Sequence, residues 1–454
     1  MTSAARALVR WLFCPNTVLL FSLASAVWIE SDLYRYFILI ILLEGILAYY
    51  LRHDRPPIGP MGFLCALWGI HVGLRLAYGL YIEGDLFQGS SEGIYLFALV
   101  YPTLGYALYV HRWQALEFAR VFIGLSLLAL LASVDLPAIV AGERVAFLFH
   151  TNTIHASVGG GFILIAAFCF LIHLMRNFQE DIHSSTRLVW IAMAVATIAL
   201  CALGILGAKS KGVWLSIAAT MPFLVAAAVC GMERRRQLLF MAASTLGAAF
   251  LIGLFRYEIS AELWPNAVGA ADIAFAAAAS RNPLETLELM IAGGSIPSTF
   301  NQRLMLWVNA LEVWASAPVW GAGVEWIERW QETTYADTPY TIVHNGFLEI
   351  AVRYGLIGLA FYGFSTLWSI RQAWICRRQG LIADPAFILH AGANLFFALT
   401  LLTNSNNRLA IGESFMLLSG GFGFYCYFLL RDHERGLALS ADDRAGGFPG
   451  DVKA

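Results

Sequence analysis

The stretch Ile342–Tyr362, IVHNGFLEIAVRYGLIGLAFY, joins two features that seldom meet. Its second half is an apolar run suited to crossing a bilayer. Its first half sets His344, Asn345, Glu349 and Arg353 at the head of that run. Polar groups at membrane depth are costly unless something satisfies or uses them. The stretch therefore predicts a spanning helix over 347–370 whose outer end carries polar groups with a task.

Read outward from there, the whole chain has the same character. Of its 454 residues 59% are hydrophobic and only 13% are charged, more apolar surface than a soluble domain can hide. A span needs about 20 apolar residues. Such runs predict helices near 11–29, 34–51, 61–82, 93–110, 117–136, 155–175, 188–207, 213–231, 237–255, 347–370, 386–403 and 411–430. The N-terminal run resembles a signal peptide but reads as a retained first span, because its removal would spoil the charge alternation. Arg6 and Arg10, LRHDR (51–55), HRW (111–113), MRNFQEDIHSSTR (175–187), MERRRQ (232–237), RQAWICRRQG (371–380) and RDHERG (431–436) all fall on one side. ESD (30–32), EGDLFQGSSEG (83–93) and NSNNR (404–408) fall on the other. By the positive-inside rule both termini are cytoplasmic.

The expected organisation is spans one to nine over residues 1–255, a helical outer loop over 256–346, spans ten to twelve over 347–431, and a tail over 432–454 expected to be disordered. Within the loop, Arg303, Trp307, Leu311 and Trp314 recur at helical spacing and predict an amphipathic helix ending at Ala317-Pro318. A net charge near zero argues against nucleic acid as a partner. The 7 cysteines show no metal-binding spacing and read as packing residues.

Positive charge on the outer side runs against the topology rule and calls for a reason. GAKSKGVW (207–214) supplies Lys209 and Lys211, the loop supplies Arg303, and the opening stretch supplies His344 and Arg353. Converging from different helices, these groups suit an anion at the outer leaflet, and a lipid diphosphate is the obvious one there. With a reference pKa of about 6.5, His344 suits a general base toward an attacking hydroxyl. Cations on a diphosphate leaving group would hold its developing charge without a metal. Plainer readings stand beside these. Glu349 and Arg353 are spaced i,i+4 and suit a mutual ion pair; Lys209 and Lys211 suit snorkelling to headgroups. The loop tryptophans suit interfacial anchoring. His71 and Arg75, one turn apart in the third span, suit the lining of a cavity or a hold on a second anionic group. Glu44, His155, His390 and Glu413 suit inter-helix hydrogen bonds.

Three blocks resemble the O-antigen ligase and polymerase family of bacterial envelope glycosyltransferases. Ser210-Lys211-Gly212 stands where that family has a Ser-Arg-Gly turn. NQRLMLWVNALEVWASAPVWGAG (301–323) resembles its Arg-x3-Trp helix and Pro-x2-Gly-x-Gly turn. HNGFLEIAVRYGLIG resembles its His-Asn block, carried by His344, Asn345, Glu349, Gly355 and Gly358. The resemblance implies an all-α polytopic membrane protein with a large helical periplasmic loop, of the metal-independent C-class glycosyltransferase type. It implies an enzyme of the bacterial inner membrane that moves a glycan from undecaprenyl diphosphate to lipid A–core oligosaccharide with inversion, without cofactor or metal. His344 would take the place of the family's essential histidine, and Arg303 and Lys211 those of its arginines, with Lys209 beside them. Lysine at 211 keeps the charge but loses bidentate phosphate geometry.

A polymerase of the same superfamily would share the donor chemistry and differ only in acceptor; the single large outer loop favours the ligase. Glu30 and Asp32 as ligands of a catalytic divalent ion would describe a metal-dependent transferase, against which they read as an ordinary acidic outer loop. A lipid-linked oligosaccharide flippase would explain twelve spans and the His71/Arg75 pair but not the polar outer motif.

Overall fold

The computed structural model describes residues 24–51, 56–83, 90–110, 112, 115–176, 184–230, 234–254, 256–258, 260–261, 264–293, 298–338 and 342–446. Among them the regular structure is all helix, as the length and apolarity of the runs dictate. The long helices are α1 (Leu33–Leu51), α2 (Gly59–Glu83), α3 (Tyr101–Val110, entered through a 3-10 segment Ser90–Val100), α4 (Ala115–Ser133), α5 (Thr153–Arg176), α6 (Ser184–Gly207), α7 (Lys211–Val229) and α8 (Arg234–Leu254). After an intervening helical segment come α13 (Gly346–Arg378), α14 (Asp384–Leu401) and α15 (Ala410–Gly446). Nine helices among the described residues are long and apolar enough to cross a membrane. Helices α1 and α8 stand at two more of the expected spans; the first, 11–29, lies outside the described residues apart from residues 24–29. The last helix continues past the expected end of its span to Gly446, into the stretch expected to be a disordered tail.

Contacts at the two ends follow the charge alternation. At the cationic end, Arg176 of α5 and Arg377 of α13 share Asp384 at the start of α14 (2.6 and 2.7 Å). Arg176 also donates to the carbonyls closing α7, at Ala227 and Ala228. This ties the four helix ends, and it uses basic side chains on the last carbonyls of a helix, where they are favourable. Within the bundle, Arg35 of α1 reaches Glu413 of α15 (3.0 Å), which also accepts from Tyr34. His390 of α14 meets Ser369 of α13 (2.9 Å). Glu413 and His390 thus serve the inter-helix bonds expected of them.

The segment between α8 and α13 comprises α9 (Trp264–Ala279), α10 (Pro283–Ala292), α11 (Ser298–Ser316) and α12 (Trp326–Gln331). Helix α11 ends at Ser316, just ahead of the proline that stops it. It is buried on two flanks. Leu304 and Val308 pack with Ile273, Leu287 and Ile291 of α9 and α10. Leu306, Ala310 and Val313 pack with Trp326 and Trp330 of α12 and with Val343 and Val352 beside the head of α13. The predicted stripe of Arg303, Trp307, Leu311 and Trp314 lies between these flanks, and Trp307 touches both clusters.

One feature of α13 departs from the expected continuous span. The helix breaks at Gly355 (φ 61°, ψ −154°), a conformation open essentially to glycine alone. Its polar first part, 346–354, is a separate head, and the apolar run continues beyond the break. The turn after α11 fills it: Leu356 and Ile357 donate their amides to Pro318 O (2.9 Å) and Val319 O (3.2 Å), and Ala322 donates to Val352 O (2.7 Å). A Cβ on Gly321, also at positive φ (73°), would collide with the backbone of Arg353 and Tyr354; one on Gly355 would collide with Val319. The two glycine motifs of the sequence therefore interlock backbone to backbone. Arg75 of α2 closes the joint by donating to the carbonyls of Arg353 and Gly321.

Candidate active site

The head of α13 begins with a cap. Asn345 accepts from the amides of Phe347 (3.0 Å) and Leu348 (3.2 Å), satisfying two of the donors that a helix start leaves unpaired. The preceding residue, His344, takes a left-handed backbone (φ 52°), unfavourable for a non-glycine residue and common where a side chain must be aimed. Trp307 steadies the approach, its indole N–H donating to Val343 O (3.1 Å). The imidazole Nδ1 of His344 then lies 3.0 Å from Asn404 Oδ1. Asn404 donates its amide to Asn406 (2.8 Å), which leaves Oδ1 to accept from the ring. Nδ1 is thereby the protonated nitrogen, and Nε2 keeps its lone pair.

The same loop, 402–409 between α14 and α15, receives the cations. Arg303 donates from Nη1 to Thr403 O (3.0 Å), one residue from the partner of His344. Burial pulls the Arg303 guanidinium below its ordinary pKa, though an arginine so placed stays charged. Gly212, next to Lys211 at the start of α7, packs so closely under Thr403 that a Cβ would collide with its hydroxyl. All three sequence blocks thus meet at Thr403–Asn404.

Behind them lies a buried chain of charge. Arg353 pairs with Glu349 (3.0 Å), as the i,i+4 spacing predicts, and also with Glu92. Glu349 in turn accepts from Arg408 in the loop (2.8 Å). Arg353 and Glu349 are 1% and 2% exposed, so Arg353 is neutralised inside the protein and does not serve the expected outer anion. Five other expected positions have partners of their own. Arg75 serves the carbonyls of the helix joint and sits near Tyr354 (5.5 Å), so it holds no second anion. His71 lies among the rings of Trp68, Trp320 and Tyr354. Lys209 donates to Gly142 O (2.7 Å), bracing a neighbouring loop instead of standing with Lys211. Asp32 pairs with Arg35 (3.5 Å) and Glu30 turns to Thr151 and His155, so the two do not converge as a metal pair.

Glu92, Asn404 and Arg408 were not legible as site residues from the sequence. The available signal was compositional: NSNNR sets three asparagines between two spans, and Asn406 and Asn407 are fully buried, an expensive choice unless their amides organise something.

No curated protein matches the chain. Residues 182–363, which hold Lys211, Arg303, His344 and the glycine joint, match the model of the O-antigen ligase family, a class of polytopic membrane glycosyltransferases.

Proposed function

We propose that the protein is an O-antigen ligase of the bacterial inner membrane, transferring glycan from undecaprenyl diphosphate to lipid A–core oligosaccharide at the periplasmic face, with both termini cytoplasmic. The observation that carries this reading is the meeting of His344 and Arg303 on adjacent residues of one loop, with Gly212, the neighbour of Lys211, packed against Thr403. The acceptor hydroxyl gives its proton to His344 Nε2 as its oxygen attacks the anomeric carbon. The bond from that carbon to the diphosphate oxygen breaks, and the configuration inverts. Arg303 and Lys211 hold the charge that grows on undecaprenyl diphosphate, the role a metal fills elsewhere. Asn404 keeps the imidazole in the tautomer this requires and stabilises its protonated form through the Nδ1 hydrogen bond.

Purified protein given lipid-linked glycan with lipid A–core should form the conjugate, while lipid-linked glycan alone should give no lengthened chain. Lengthening without acceptor would make the protein a polymerase; no new glycosidic bond in either tube would return it to the transporters.

A further inference from the structure

Away from the transfer centre, at the same end of the bundle, a second set of side chains converges. Glu30 lies in the loop ahead of α1, His150 in the loop ahead of α5, and His155 in the first turn of α5. One ligand atom from each lies within 4.8 Å of the others. We propose that Glu30, His150 and His155 bind one divalent transition-metal ion of the zinc class, which pins the first outer loop to the start of α5.

The orientation of each donor supports this. His150 Nε2 donates to Val27 O (3.2 Å), which fixes the tautomer and leaves the lone pair on Nδ1. That backbone partner on the remote nitrogen is the arrangement of metal-ligating histidines. His150 is 7% exposed, and its Nδ1 is buried with no hydrogen-bond partner among the described residues. A buried lone pair left so is destabilising, and a cation would satisfy it. Glu30 Oε2 accepts from the Thr151 hydroxyl (2.6 Å) and amide (3.3 Å), leaving Oε1 to face His155 Nδ1 at 3.2 Å. Two ligands on tetrahedral zinc at about 2.0–2.1 Å stand roughly 3.3 Å apart, so this edge already has the right length.

The donor set selects the ion class. Two imidazoles and a carboxylate suit zinc and its first-row neighbours, whereas calcium and magnesium take all-oxygen shells. A cavity of about 260 Å³ opens beside the three side chains and leaves room for water as a fourth ligand. Its far wall is Arg408–Ile411. Arg408 is held by Glu349 and so does not fill the site. None of His344, Arg303 and Lys211 lines this cavity, so the ion would steady the structure and take no part in glycosyl transfer.

The test uses the tag-free full-length protein in detergent, stripped with EDTA and titrated with Co²⁺ and then Zn²⁺. Expected are one equivalent of Co²⁺ with the intense visible bands of a tetrahedral, nitrogen-ligated ion, displacement by Zn²⁺, and a Zn²⁺-dependent rise in melting temperature. Glu30→Gln and His155→Gln should each weaken binding at least tenfold and abolish the rise, while Asp32→Asn changes neither. Absence of stoichiometric binding, or binding unchanged in both ligand variants, would overturn the proposal. The cobalt spectrum of the unaltered chain reads the ligand set directly, so a variant that fails to fold leaves the test intact.

Discussion

Glu92→Gln removes one carboxylate from the buried charge chain and leaves the rest of its shape in place. Arg353 then shares Glu349 with Arg408, one carboxylate for two guanidiniums, so this chain carries a surplus positive charge. Both Arg353 and Glu92 are 1% exposed, so water does not screen the loss. Breaking such a buried pair from one side costs about 3–5 kcal/mol, mostly as the uncompensated charge. At roughly 2.1 cal/mol/K per residue, a chain of this length loses about 1 kcal/mol of stability per degree near its midpoint. The melting temperature in detergent, read by tryptophan fluorescence, should fall by about 3–5 °C. The decisive arm is a second substitution. Arg353→Met alone strands Glu92 and should destabilise comparably, whereas Arg353→Met added to Glu92→Gln leaves the neutral pair Glu349–Arg408 and should recover at least half of the loss. If the double variant falls by the sum of the two single effects, the charges are not coupled and the reasoning is wrong.

Four further outcomes follow from the site. His344→Ala should abolish transfer with normal folding, and His344→Asn should do the same while suiting the left-handed backbone, which separates the lost base from lost geometry; retained turnover in either excludes the imidazole as base. Asn404→Leu frees the imidazole to rotate and should lower kcat at least tenfold with little change in KM, checked by steady-state conjugation. Lys211→Ala should lower transfer, while Lys211→Arg and Lys209→Ala should both retain it, because Lys209 is committed to Gly142 O; a dead Lys209→Ala would place it in the site after all. Gly355→Ala adds about 1–3 kcal/mol of backbone strain and a collision with Val319, so it should reduce the yield of monodisperse protein on size exclusion.

The helical bundle was legible because apolar run length and cation placement are one-dimensional signals. Each is read from composition in a window, and the ion pairs Arg176–Asp384 and Arg377–Asp384 gather the basic loops at one end as the alternation requires. The amphipathic helix of the outer segment was legible for the same reason, since its period is local. The break at Gly355 was not. Its cause is the turn 318–323, more than thirty residues away, and only the fold shows that the glycines of both motifs make room for each other's backbone. Arg75 misled for a related reason. A charge inside a span suggests a ligand site, but the carbonyls that the broken helix frees are themselves acceptors in need of a donor.

That joint explains why a polar cluster can stand at the head of an apolar helix. A continuous helix would leave 346–354 as the outer end of the span, free to fray or to follow lipid. Broken at Gly355, the head is clamped between the 318–323 turn, Arg75 and the Glu92–Arg353–Glu349 chain, each from a different part of the sequence. The residue ahead of it, His344, is then fixed by its cap neighbour, by Trp307 through Val343, and by Asn404. Helix α11 carries both Trp307 and Arg303, so the element that positions the imidazole also delivers a cation to the same loop. A displacement of α11 would move imidazole and cation together, which is what the proposed transfer, with acceptor hydroxyl and departing diphosphate held at fixed separation, would require.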